Sequence, residues 1–289
     1  MEQPAPSDQV LPAPPGPTAP PDPGPYAPDV TPADPVSFVY AIGRVEPRFP
    51  SLAVEKEFAQ AAGQRETTGQ TNREALHAVL AERSGRYLAR QMCWVFTIEG
   101  LETYVLVPRD PADLDLLVEA VRPGPGPGDV DVVIGLRGSF SSTECTGLVL
   151  PVVAFDQIYS FDRDEFIREI PRPADGAEDS FRATAEELFD RIGQLADNAG
   201  ATDEHRALNY LAVRYPAIYA RAAEAHATDS ALSGVEVRPS RLSGARTVMD
   251  VIFAYTSWRT DVTQKYFARV DVTEEFPFLV TKLSQFYER

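Results

Sequence analysis

Cysteine is nearly missing from this 289-residue chain: there are two, Cys93 and Cys145. A pair so far apart builds no disulfide framework, so a reducing cytoplasm is the expected setting, with Cys93 a small core residue in the run MCWVF. Basic residues are also scarce. Lys and Arg number 27 against 43 Asp and Glu, a formal net charge of −16. Neutralising phosphates and docking on anionic lipid both need clustered Lys and Arg, so neither nucleic acid nor membrane is an expected partner. No basic N-terminus leads into an apolar run, which removes a signal peptide from the expectations, and no apolar stretch is long enough for a transmembrane helix. Reaction motifs are lacking too. PGPGPG at 123–128 has no Lys-Ser/Thr after it, GSFSS at 138–142 has the wrong spacing for a nucleophile elbow, and no CxxC or HxxxH knuckle occurs.

Proline is plentiful and unevenly placed: 13 of the 26 lie within residues 1–35, among five acids and no Lys or Arg. With almost nothing apolar to bury, residues 1–35 are expected to be a disordered, acidic tail or linker sampling polyproline conformations. Residues 36–289 are expected to be one domain. VSFVYAIG at 36–43 reads as a first strand, and Leu52–Ala62 and Asn72–Leu80 as helices. Two strands joined through Glu99-Gly100 over Met92–Val107 give the best hairpin signal. A short helix after Asp110-Pro111 precedes two apolar runs, Asp131–Leu136 and Leu148–Phe155. Helical spacing then covers Phe181–Ala196, Asp203–Tyr215 and Ile218–His226, and three alternating strands follow, up to Val272. Strands come in pairs and do not alternate strictly with helices, so the fold class is α+β, antiparallel sheets packed with several helices.

The run FVYAIGRVEPRFPSLAVEKEF from Phe38 to Phe58 resembles the start of the C-terminal domain of unknown function of cyanobactin (patellamide-type) maturation proteases, the PatG C-terminal domain family. Colinear stretches strengthen the likeness: RQMCWV from Arg90, EGLETY from Glu99, FDQIYSF from Phe155, DNAGATDEHRALNY from Asp197 and VDVTEEFPF from Val270. In that family the domain follows a subtilisin-like protease that trims or macrocyclises ribosomally made precursor peptides, and it has no assigned chemistry of its own. No subtilisin triad is found here, so the resemblance implies a free-standing form and peptidase activity is not carried over. The expected role is an accessory, non-catalytic recognition or scaffolding domain. Its expected partners are a precursor peptide, taken up as an added strand on an exposed sheet edge, or a co-encoded maturation enzyme, with a homodimer as a third arrangement.

Two sets of side chains carry the alternative, a peptide-modifying enzyme. Cys93, Cys145 and His205 are the soft ligands that a structural zinc would need, if the fold brings them together; otherwise no cofactor is required. His205 with Asp203 or Glu204 offers an acid–base pair, against the plainer reading that Thr202 or Asp203 caps a helix there. Arg44, Glu46 and Arg48, after the first strand, are candidates for gripping a peptide carboxylate or an acidic partner. Asp156, Asp162, Asp164 and Glu165 lack a calcium-loop pattern and read as a solvated acidic cluster.

Overall fold

The computed structural model describes residues 37–63, 72–123, 129–140, 145, 147–171, 178–195 and 197–287. The proline-rich head, expected to be disordered, and most of the PGPGPG loop lie outside these residues.

Apolar, β-branched alternation makes the first half a barrel. Its strands are β1 (Ser37–Arg48), β2 (Cys93–Ile98), β3 (Leu101–Pro108), β4 (Asp129–Phe140) and β5 (Pro151–Asp162). They close in the order β1-β2-β3-β5-β4, antiparallel except for β3 beside β5. The β2–β3 turn is set by Glu99 and Gly100, both at positive φ (49° and 78°), the backbone a two-residue hairpin needs and glycine supplies at least cost. Alternate residues point inward. Val39, Ala41, Phe96, Leu106, Val133 and Phe155 fill the interior, and helices α1 (Leu52–Gly63), α2 (Asn72–Leu80), α3 (Arg86–Gln91) and α4 (Leu114–Ala120) add Val54, Val79, Leu80, Leu88 and Leu117 to the same core.

The second half comprises α5 (Arg163–Glu169), α6 (Glu178–Gly193), α7 (Asp203–Arg214), α8 (Ala217–Ala227) and an open sheet in the order β6 (Ser230–Pro239), β7 (Val248–Ser257), β8 (Thr263–Asp271), β9 (Phe278–Gln285). Helices α6 to α8 lie between this sheet and the barrel. Their core takes Tyr40, Val132 and Ile134 from the outer side of the barrel, Leu188, Ile192, Leu208 and Leu211 from the helices, and Val251, Phe253, Ala268 and Val270 from the sheet.

The architecture is α+β, as the patterning predicts. Three details differ. The C-terminal sheet has four strands, because β9 turns Phe278 and Val280 outward and so hides its alternation. Helices α3 and α5, of 6 and 7 residues, are too short to show a helical period. β1 runs five residues past Gly43, and its length is what shapes the site.

Candidate functional site

Twelve residues long, β1 changes partners midway. Its first part, Ser37–Gly43, pairs with β4, and its last, Arg44–Arg48, pairs with β2. Each part therefore has one side without a strand, and backbone groups there need other partners. Beside the first part, the loop before α7 and α7 itself supply them: Tyr40 donates its amide to the Gly200 carbonyl at 2.9 Å, and the Asn209 side-chain amide donates to the Tyr40 carbonyl at 2.8 Å. Beside the second part, the Val45 amide donates to the Asp131 carboxylate at 2.7 Å, and the Ser160 hydroxyl donates to its other oxygen. Burial raises the Asp131 carboxyl to about 6, against the pull of these two hydrogen bonds.

A cleft of about 980 Å³ opens where β1 changes partners. Its floor carries Gly43, Thr97 and a pair of buried amides, Asn198 and Asn209, that bond each other in both directions at 2.7 and 3.1 Å. Gly43 has no room for a side chain, since a Cβ would run into the Thr97 carbonyl and the Phe96 ring. One wall is β1 and the β2–β3 turn, with Arg44, Glu46 and Glu99; the other is α5 and the end of α6, with Arg163, Glu165, Arg168, Asp190 and Gln194. The volume is at the upper end of the range for small-ligand sites and suits a short stretch of extended chain. Both walls mix guanidinium and carboxylate groups. Arg163 bonds Asp190 at 2.9 Å, Asp162 caps α5 by accepting from the Glu165 amide at 2.7 Å, and Arg182 reaches Asp164 at 3.3 Å. The acidic cluster around Asp162 is thus tied to helix ends and arginines. No Cys, His, Ser or Lys lies among the lining residues.

Of the three residues expected to grip a peptide, Arg44 and Glu46 line this cleft. Arg48 does not, and bridges Glu46 and Glu102 at 2.9 and 3.0 Å. The metal set is corrected. Cys93 and Cys145, Cα atoms 5.5 Å apart, are joined to each other in a disulfide, which leaves no thiolate for a metal. They sit with Val95, Val105, Leu148 and Leu150 in a small cluster on the outer face of β2–β3. Among the described residues no group of three or more His, Cys, Asp and Glu stands where it would hold a metal ion. The inference of a reducing compartment from unpaired cysteines loses its basis as well. No helix of the described residues is long and apolar enough to cross a membrane.

His205, Asp203 and Glu204 occupy the first turn of α7 and lie outside the cleft. Thr202 caps this helix, accepting from the His205 amide at 3.2 Å, and Asp203 pairs with Arg206 at 3.4 Å. The His205 Nδ1 is buried without a hydrogen-bond partner, and burial holds its pKa below the usual imidazole value. It makes no acid–base pair with either carboxylate. Sequence reasoning missed Asp131, Asn198 and Asn209. The signal was there in Asp131, the acid set next to the apolar run of the strand DVDVVIGL, and in Asn209, on the buried side of a helix.

At the barrel and at β9, strand addition meets an obstacle. The barrel has no edge, and at β9 the Leu279 and Leu283 amides donate to the hydroxyls of Tyr210 and Tyr215 at 3.2 and 2.9 Å. The edge that an added strand would use there is already occupied by the side chains of Tyr210 of α7 and of Tyr215, the residue after it.

The strand order, with β1 shared by β2 and β4 and a helix between β3 and β4, defines a small five-stranded Greek-key barrel of the OB type, joined to a helix-backed open sheet. Such a fold assigns no ligand by itself. Residues 175–286 match the family model described as PatG C-terminal. A solved structure titled "PatG Domain of Unknown Function" has the same fold, with a TM-score of 0.71 and 19% sequence identity over 86% of this chain and 98% of that one. The match is to a PatG C-terminal domain over residues 175–286, and the solved structure shows that the chain shares its fold. A search of curated proteins finds no match.

Proposed function

We propose that this chain is an accessory recognition domain in the maturation of ribosomally made peptides, and that the cleft beside β1 holds an extended segment of the precursor peptide. The observation that supports this most is the lining of the cleft. Arginine and carboxylate groups face each other across a neutral floor whose amides are bonded to one another and to the main chain, which suits a peptide with mixed charges of its own. Rigid β1 and α7 position the floor, so little ordering is left for binding to impose. The enzymic reading rests on His205 with Asp203 or Glu204, and these lie away from the cleft.

Calorimetric titration of the full chain with a cyanobactin-type precursor peptide tests the proposal. Glu46→Ala and Arg168→Ala are each expected to weaken binding roughly tenfold, the size of one charge-assisted hydrogen bond, and His205→Ala is expected to leave it unchanged. Absence of binding to the parent, or equal binding by all three variants, would sink the cleft assignment. Loss of peptide product on His205→Ala alone would favour the enzyme.

A further inference from the structure

The two edges of the open sheet are treated differently. The β9 edge is occupied by tyrosine hydroxyls, as described above. At β6 the α6 residue Arg191 donates to the Leu232 carbonyl at 2.8 Å, and just beyond it the strand bulges at Ser233. After the bulge the ladder fixes which groups point outward. Ser240 donates to the Val248 carbonyl, so the even-numbered residues of β7 face β6, and their partners are Gly234, Glu236 and Arg238. Val235, Val237 and Pro239 therefore direct their main-chain groups away from the sheet. Among the described residues these groups meet no partner.

We propose that this stretch pairs antiparallel with the same stretch of a second copy, about a two-fold axis through Val237. Three features are self-complementary about that residue. The outward stretch runs from Val235 to Pro239 and is centred on Val237. Two Val237 residues would exchange amide and carbonyl bonds, and each Val235 amide would donate to the opposite Pro239 carbonyl, so the missing proline N–H removes only one bond per side. Glu236 and Arg238, which share the sheet's outer face and lie 3.4 Å apart within one chain, would each face the opposite charge across the axis. Facing pairs between hydrogen-bonded positions bring side chains closest, so charge there decides for or against pairing. The result is a continuous eight-stranded sheet, an isologous arrangement of the kind most homodimers use.

Sedimentation equilibrium of the full chain over a wide concentration range tests this, with circular dichroism to check folding. The parent is expected to form dimers. Glu236→Arg puts like charges opposite each other at both symmetric positions and is expected to weaken dimerisation by roughly tenfold or more. The double exchange Glu236→Arg with Arg238→Glu restores opposite charges and is expected to recover parental affinity. Val237→Pro removes an outward N–H without touching the bonds to β7, and is expected to give a folded monomer. A parent that stays monomeric, a double exchange no better than the single one, or a Val237→Pro dimer of parental affinity would each overturn the proposal. So would pairing of β6 with a peptide in a monomeric parent. Peptide titration in the cleft reads out separately from dimer mass.

Discussion

Asp131 has two tasks that conflict: it satisfies the Val45 amide where β4 has left β1, and it carries a charge inside the barrel. Its carboxyl titrates near 6 when folded and near 3.8 when exposed, so the folded state binds its proton more tightly. The contribution to stability is therefore fully present below pH 4 and declines as pH rises through about 6, by roughly 2 to 3 kcal/mol in all. Asp131→Asn keeps an acceptor for Val45 and a polar partner for Ser160 but cannot titrate. Urea denaturation between pH 4 and 7 should show the parent losing stability relative to the variant as pH rises; parallel curves would refute the burial argument. Gly200 is a second exacting position. Its φ is 70°, and a Cβ would strike the Tyr40 carbonyl and Ala41. Gly200→Ala should cost roughly 2 kcal/mol or more, measured by the same denaturation.

At the scale of elements, the Cys93–Cys145 bond ties the β4–β5 connection to the start of β2, closing a loop of sequence separation 52. Replacing both cysteines by serine should lower stability by roughly 2 to 5 kcal/mol, and thiol titration of the unfolded parent should find free thiols only after reduction. Thiols found without reductant would count against the bond. This link was not legible in the sequence, because two distant cysteines carry no spacing signal and only the fold brings them together. The hairpin at Glu99-Gly100 was legible, since positive-φ turn chemistry is local. So were the long amphipathic helices α6 and α7, whose burial repeats along their own length. The cleft was half legible. Arg44 and Glu46 follow a clear strand and attract attention as charges, but Arg163, Arg168 and Asn198 reach the same cleft from segments more than a hundred residues away, which no local pattern encodes.

On the scale of the whole molecule, barrel and sheet meet through charge as well as through the shared helical core. Arg109, after β3, bonds both Asp156 on β5 and Glu275 in the β8–β9 turn, the latter at 3.1 Å. Arg206 of α7 donates to the carbonyls of Val272, at 2.7 Å, and of Glu274 in the same turn. Burial and the nearby Asp156 carboxyl raise Glu275 to about 7 despite Arg109. The folded state again holds the proton more tightly, so this join is firmest below about pH 4.5 and weakens as pH rises through 7. Hydrogen exchange in 272–277, corrected for intrinsic rates, should speed up from pH 6 to 8 in the parent and stay level in Glu275→Gln. Equal acceleration in both would remove Glu275 as the cause.

The partner change in β1 also bears on the order in which the protein is made. All five barrel strands have left the ribosome by Asp162, yet the Tyr40 amide and carbonyl wait for Gly200 and Asn209. Until those residues emerge, half of β1 is an open edge, and afterwards the barrel is sealed by a segment that belongs to the other half. Ending the chain at Asp162 is therefore expected to give a barrel prone to pairing with other chains. The barrel is thus closed by residues that come later in the chain than all of its own strands.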